Sequence, residues 1–240
     1  MEQGAFVMLR ITEYVMLRAP FAVFAAVAGV IATRGLGVIV TYGAFVGGFY
    51  LSLVILWAVL SAAGAAVIGA RIKGLLGVIR EPITIAFSPA SSEAAYPKLL
   101  EKLERFGVSN RVASFVLPLG YSFNLDGSMM YCAFATLFIA QAYGIEISAG
   151  QQIAMLLLLM ITSKGMAGVP RASLVVIAAT LTFLKLPEEG LLLILAVDHF
   201  LDMGRSATNV VGNSVATAAV AKWEGQLRDP ALDRPAIEDA

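Results

Sequence analysis

Apolar residues run along this chain in long unbroken blocks, and the few polar positions inside those blocks recur in a repeated order. From residue 35 to residue 70 there is no charged side chain, far more than the ~20 residues that carry a helix across a bilayer. The pattern predicts an all-α integral membrane protein. A first helix is expected over residues 11–33. A second, long one fills much of residues 36–70 and stops at the basic positions Arg71, Lys73 and Arg80. The regular pattern then fails. Residues 82–92 are apolar but too short to span, and they end in Ser88, Pro89, Ala90, Ser91 and Ser92. A charged amphipathic stretch covers residues 98–111. A spanning segment follows over residues 112–143, interrupted by Asn124, Leu125, Asp126, Gly127 and Ser128.

The second half repeats this plan. Residues 153–163 are again short and apolar, and they run into Lys164, Gly165, Gly168, Val169 and Pro170. Residues 172–184 lead back to Pro187, and a last spanning segment over residues 191–223 carries Asp198, Asp202, Arg205, Asn209 and Asn213. The order is hairpin, interrupted helix, hairpin, interrupted helix: two re-entrant helical hairpins in an inverted repeat. Broken backbone at membrane depth is tolerated only where protein or a watery cavity satisfies its polar groups. Paired broken segments in two halves therefore point to a transporter binding site. Kinked helices without a site are the plainer alternative, which two matched pairs, each with charges at membrane depth, disfavour.

Charge distribution adds an orientation. Both flanks of the first hairpin are basic, with Arg71, Lys73 and Arg80 before it and Lys98, Lys102, Arg105 and Arg111 after it. The connection near residues 144–152 carries only Glu146, and the turn near residues 185–189 is net negative. Positive-inside bias puts the base of the first hairpin and the C-terminal tail in the cytoplasm, and the base of the second hairpin outside. The expected division is residues 1–72 as two peripheral transmembrane helices, 73–224 as a transport core and 225–240 as a polar cytoplasmic tail.

Composition removes other classes. Charged residues are 14% of the chain and apolar ones 59%, with a formal net charge of zero, so nothing suggests a nucleic-acid partner. One cysteine, Cys132, excludes an internal disulfide, and one histidine, His199, excludes a multi-histidine zinc site. No organic cofactor is called for. Glu2, Arg10, Glu13 and Arg18 break up the N-terminal apolar run, which does not read as a signal peptide. The chain reads as beginning in the middle of something longer.

In the last segment, Asp198, Asp202, Arg205, Asn209 and Asn213 are spaced by four, three, four and four residues, so at ~100° per residue they share one narrow helix face. An ionised group at bilayer depth costs at least ~2.5–3.5 kcal/mol. The arginine's planar fork suits a carboxylate, and a free aspartate suits an ammonium or a metal cation. The alternative is an internal salt bridge between Arg205 and Asp202 or Asp198. Asn124, Asp126 and Ser128 offer carboxylate, amide and carbonyl oxygens to a hard cation, or form an Asx-type turn for shape alone. The tips, with Ser91 and Ser92 in one and Gly168 and Val169 in the other, would present the partial charges of half-helix termini to a ligand. Lys164 and Arg171 beside the second tip either attract anions or reach to the outer surface.

These motifs resemble the dicarboxylate/amino acid:cation symporter family. The resemblance rests on the run from Asn124 to Ser128, the run from Ser163 through Lys164 and Met166 to Pro170, and the run from Val197 to Asn209. It covers nearly the whole chain up to about Glu224. It implies a glutamate-transporter-like fold, of which this chain is similar to helices five to eight with both hairpins. It also implies a homotrimer, an elevator-like movement, an acidic solute and a coupling ion, Na+ or H+, in a bacterial inner membrane. By the same resemblance Arg205 grips a substrate side-chain carboxylate and Asp202 holds its α-amino group. Asn209 and Ser128 bind the main-chain carboxylate, with Ser91, Ser92, Gly168 and Val169 contributing from the tips. Cations sit against Gly120, Ser122, Asn124, Asp126, Asn209 and Asn213 and against the second hairpin near Ser163 and Met166. Asn213 stands where sodium-coupled relatives carry aspartate, which resembles proton-coupled dicarboxylate carriers. Asp202 resembles the amino-acid carriers. Two other readings remain: an intramembrane aspartyl protease using Asp126 and Asp198, although no Gly-x-Gly-Asp motif is present, and an inactive fragment of a longer carrier.

Overall fold

Helix α1 (Gly37–Ile68) is apolar on every face, and its described buried positions fall on one stripe: Tyr42, Phe45, Phe49, Leu53, Gly64 and Ile68. Many of its other large side chains, among them Leu51, Val54, Ile55 and Val59, lie exposed. At 1.5 Å per residue its 32 residues reach roughly 48 Å, more than a bilayer's hydrocarbon core. An exposed apolar surface of that extent is unstable in water and at home in lipid. The computed structural model describes residues 35–164, 166 and 168–228, with positions 21, 24, 25, 28, 29 and 32. The helix expected over residues 11–33 therefore lies largely outside the described residues.

Past Gly69 the first hairpin descends as α2 (Arg71–Val78) and α3 (Arg80–Phe87). The joint at Ile79 follows from Pro82, which lacks an N–H and whose ring crowds the carbonyl four residues back, that of Val78. The tip turns through residues 88–92, with Ala90 at φ 53°. A short 3-10 turn (Glu93–Ala95) then opens α4 (Tyr96–Phe106), whose buried stripe is Leu99, Leu103 and Phe106. The amphipathic stretch expected to reach residue 111 ends sooner. Gly107 adopts a left-handed φ of 110°, and the Ser109 side chain caps a new helix. Lys98 and Lys102 bridge from α4 to Glu81 on the descending arm. Lys102, chiefly by hydrogen bonding, holds that carboxyl below its ordinary pKa.

Helix α5 (Asn110–Phe123) and helix α6 (Asp126–Ala142) form the first broken span. The break is narrower than the sequence suggests, Asn124 and Leu125 alone, because Gly127 and Ser128 are already helical. The second hairpin is α7 (Ala149–Thr162), opened by a Ser148–Gln151 capping box, and α8 (Ala172–Phe183). A 3-10 turn (Glu188–Gly190), α9 (Leu191–Leu195) and α10 (Asp198–Trp223) are the last of the described helices. The last span is interrupted, as the repeated order implies, but ahead of its polar positions rather than among them: it breaks at Ala196 and Val197, so that Asp198 opens α10. A carboxylate is favoured in a first helical turn.

Helix α10 is the axis of the molecule. It is buried along nearly its whole length, and small residues such as Gly204, Ala207, Gly212 and Ala218 admit α1, α3, α5 and α6 to its surface. Tyr42, Tyr50 and Trp57 of α1 bond to Leu193, Phe200 and Thr208. The base of the first hairpin sits at the C-terminal end of α10. The base of the second lies at the other end, where Gly190 packs on Ile139 and Tyr143 of α6. The two hairpins thus enter from opposite ends and meet at their tips, the inverted-repeat arrangement read from the sequence.

The start of the polar tail is tied to the base of the first hairpin. Arg228 N–H bonds the Gly107 carbonyl (2.8 Å), Ser109 N–H bonds that of Gln226 (3.1 Å), and Val108 pairs with Leu227. Arg71 reaches the carbonyls of Phe106 (3.1 Å) and Arg228 (2.6 Å) and lies over the Phe106 ring. Arg71→Ala should remove about 1–2 kcal/mol and lower the Tm by roughly 3–6 °C. It should also expose the segment around residue 227 to limited proteolysis; an unchanged cleavage pattern would refute the strap. Residues 229–240 of the expected tail lie outside the described residues.

Candidate functional site

Arg205 is the largest fully buried side chain among the described residues, on the face of α10 predicted from the spacing. A buried guanidinium must be paired and its donors accepted. Asp202, one turn earlier, forms a close ion pair with its Nε. Nη1 donates to Ser128 Oγ (3.1 Å), and Nη2 to the carbonyls of Val169 (3.2 Å) and Ala90 (3.5 Å) and to Ser206 Oγ (3.2 Å). Both hairpin tips, the start of α6 and α10 itself therefore converge on one cation. The internal salt bridge offered as an alternative is present, between Arg205 and Asp202, but within a larger cluster.

Asn209 lies one further turn along. Its Oδ1 accepts from Gly127 N–H (2.9 Å) and Ser128 N–H (3.3 Å), and its Nδ2 donates to Ser128 Oγ (3.0 Å). That side chain caps α6, which is why the helix resumes at Asp126. The tips clasp each other directly. Ser91 Oγ donates to the Gly168 carbonyl (2.9 Å), and Gly168 N–H to Glu93 Oε1 (2.8 Å). Ser92 is fully buried with no hydrogen bond to its Oγ among the described residues, and a methyl group at Gly168 would run into it.

A second polar group lies where the break of the first span meets α10. Asn124 Nδ2 donates to Asn213 Oδ1 (3.2 Å). The backbones approach so closely that a side chain at Gly120 would strike Asn213, and one at Gly212 would strike Asp126. Asp126 Oδ2 and Asn213 Nδ2 are buried without a hydrogen-bond partner among the described residues. A buried carboxylate oxygen with no donor fits a cation or proton as its partner. Ser122 does not join this group: its hydroxyl donates to the Pro118 carbonyl of its own helix. Ser163 and Met166 lie buried on the second tip, bonded to each other (3.2 Å). No hydrogen bond among the described residues carries them to Asn124 or Asp126. Lys164 is nearer, donating to the Phe123 carbonyl (2.6 Å).

Several participants were not foreseen. Tyr131 donates to fully buried Asp198, and Glu93 holds the second tip. Arg171 was expected to attract anions or reach outward; instead its Nε pairs with Asp198 Oδ2 (3.5 Å) and its N–H with Asp202 Oδ2 (2.7 Å). The signal for Glu93 was a charge directly after two tip serines. For Tyr131 it was a hydroxyl one turn beyond Ser128.

The profile of the sodium:dicarboxylate symporter family matches residues 1–223. The chain is 43% identical over 92% of its length to a proton/sodium-glutamate symport protein of Geobacillus stearothermophilus, covering 53% of that protein. It is 42% identical over 90% of its length to a proton/glutamate-aspartate symporter of Escherichia coli, covering 50% of it. Identity to a C4-dicarboxylate transport protein of Rhodospirillum rubrum is 44% over 92% of the chain and 50% of the relative. The chain thus spans about half the length of the curated relatives it matches. These are names of carriers rather than enzymes, which sets aside the intramembrane aspartyl protease. An all-helical chain with lipid-facing apolar helices, two hairpins and two broken spans, it belongs to the sodium:dicarboxylate symporter family.

Proposed function

We propose that the protein takes part in cation-coupled symport of an acidic amino acid, aspartate or glutamate, or of a C4-dicarboxylate. The observation that carries this reading is the burial of Arg205 beneath carbonyls from both tips, with Asp202 and Ser128 beside it. A guanidinium fork binds a carboxylate through two parallel hydrogen bonds, and a substrate carboxylate would replace acceptors that Arg205 now donates to. Asp202 would take an α-amino group in exchange for the Arg171 N–H. Asn209 and Ser128 would bind the second carboxylate, with Ser91, Ser92, Gly168 and Val169 closing over it. Gly120, Asn124, Asp126 and Asn213 would hold the coupling Na+ or H+; Ser163 and Met166 would join only after the second tip shifts, and Ser122 only after its hydroxyl leaves the Pro118 carbonyl. Residues 73–224 are the transport core of this scheme. Elevator movement, trimeric assembly and an inner-membrane location with the C-terminal tail in the cytoplasm belong to the same proposal.

The test is uptake into proteoliposomes by the protein expressed from its native reading frame, so that any flanking residues are included. Labelled L-aspartate and succinate are supplied with an inward sodium gradient, an inward proton gradient or neither. Accumulation of one of them under one gradient is expected. Aspartate driven by sodium would show that Asn213 permits a sodium site, and succinate driven by protons would assign the coupling to H+. Accumulation of neither under either gradient would sink the proposal.

A further inference from the structure

Arg171 combines three features. Its backbone is left-handed, at φ 66°, although it carries a side chain. Such a conformation is costly for a non-glycine residue and persists where the surroundings impose it, most often at functional sites. Its N–H is spent on Asp202, and its guanidinium faces Asp198, which is fully buried. It is thus a second cation at the site, delivered by the second tip rather than by α10.

The local charges then balance. Arg205 is paired with Asp202 and Arg171 with Asp198, two positive against two negative. The two pairs are held differently. Arg205 is fully buried, whereas the Arg171 side chain is 58% exposed and sits 3.5 Å from an Asp198 oxygen that receives no hydrogen bond among the described residues. Tyr131 independently satisfies the other oxygen of Asp198. The long Arg171 side chain is therefore free to turn towards a ligand without leaving Asp198 wholly unpartnered. A zwitterionic acidic amino acid brings its own ammonium to Asp202. A C4-dicarboxylate brings two negative charges and no cation, and beside two aspartates it needs a second positive group.

Resting on the proposed function, we infer that Arg171 is a specificity-determining residue that admits dianionic C4-dicarboxylates to a site whose aspartates otherwise favour an amine-bearing substrate. Glycine is suited to φ 66°, so Arg171→Gly removes the charge while relieving the backbone. Arg171→Lys keeps the charge but loses the planar fork. The measurement is competition by succinate and by L-aspartate for binding to the purified protein in nanodiscs. Arg171→Gly should weaken succinate about tenfold and L-aspartate by less than about threefold, and Arg171→Lys should retain most of the wild-type ratio. Asp198→Asn, which leaves Arg171 unpaired, should shift the ratio towards succinate. A succinate-to-aspartate ratio that Arg171→Gly leaves unchanged, or that moves the other way, overturns the inference and leaves the proposed function standing. Wild-type protein that binds neither ligand sinks the proposed function and this inference with it.

Discussion

Arg205→Ala is expected to abolish uptake of acidic solute, with at least a hundredfold loss of affinity. Two charge-assisted hydrogen bonds to a ligand carboxylate are worth about 3 kcal/mol or more, and each 1.4 kcal/mol is a factor of ten. The same substitution leaves Asp202 buried with the Arg171 N–H as its one hydrogen-bond donor among the described residues, and breaking a buried pair costs about 3–5 kcal/mol. Loss of uptake alone would not separate binding from folding. The double variant Asp202→Ala, Arg205→Ala does. Were the pair only a tie between α10 and its neighbours, removing both partners would restore most of the stability and the uptake with it. A binding role predicts that the double variant recovers thermal stability and stays inactive. Recovered uptake in the double variant would show that the ion pair is structural.

The contrast between the two pairs on α10 shows where sequence reading succeeds. Asp202, Arg205, Asn209 and Asn213 share a face because helical periodicity is local, and the structure keeps them together. The broken spans and hairpins were legible for a similar reason, since Pro, Gly and small polar residues inside apolar runs have few other uses at membrane depth. The positions of the breaks were not. Where α6 resumes is decided by the Asn209 side chain, and that contact joins residues 82 positions apart in sequence. The second interruption falls at Val197 rather than among the polar positions that follow it, and residues 191–197 are uniformly apolar and carry no local stop signal. The partners of Asp198, Tyr131 and Arg171, come from two other elements, so no spacing within α10 could name them. Ser122 was assigned to the cation group by position in a motif, and a local hydrogen bond to Pro118 withdraws its hydroxyl.

Asn209→Ala should be the second most damaging change, for a reason the sequence motif does not contain. Asn209 is fully buried, and its amide satisfies Gly127 N–H, Ser128 N–H and the Ser128 hydroxyl at once. Losing a helix cap typically costs ~1 kcal/mol, and a buried donor left without an acceptor costs ~1–3 kcal/mol more. A total of about 2–4 kcal/mol should lower the Tm by roughly 5–10 °C. Ser128→Ala is the control, because it removes the hydroxyl that Arg205 and Asn209 share but leaves both backbone N–H groups capped. If Asn209 acts chiefly by holding the first turn of α6 in place, Asn209→Ala lowers the Tm well below that of Ser128→Ala, and both weaken substrate binding. If it acts only as a ligand to substrate or cation, the two variants unfold at the same temperature and differ only in affinity. The expected result is the first. With α6 uncapped, Asp126 loses its fixed place against Gly212, so cation dependence should weaken along with substrate affinity in Asn209→Ala and persist in Ser128→Ala.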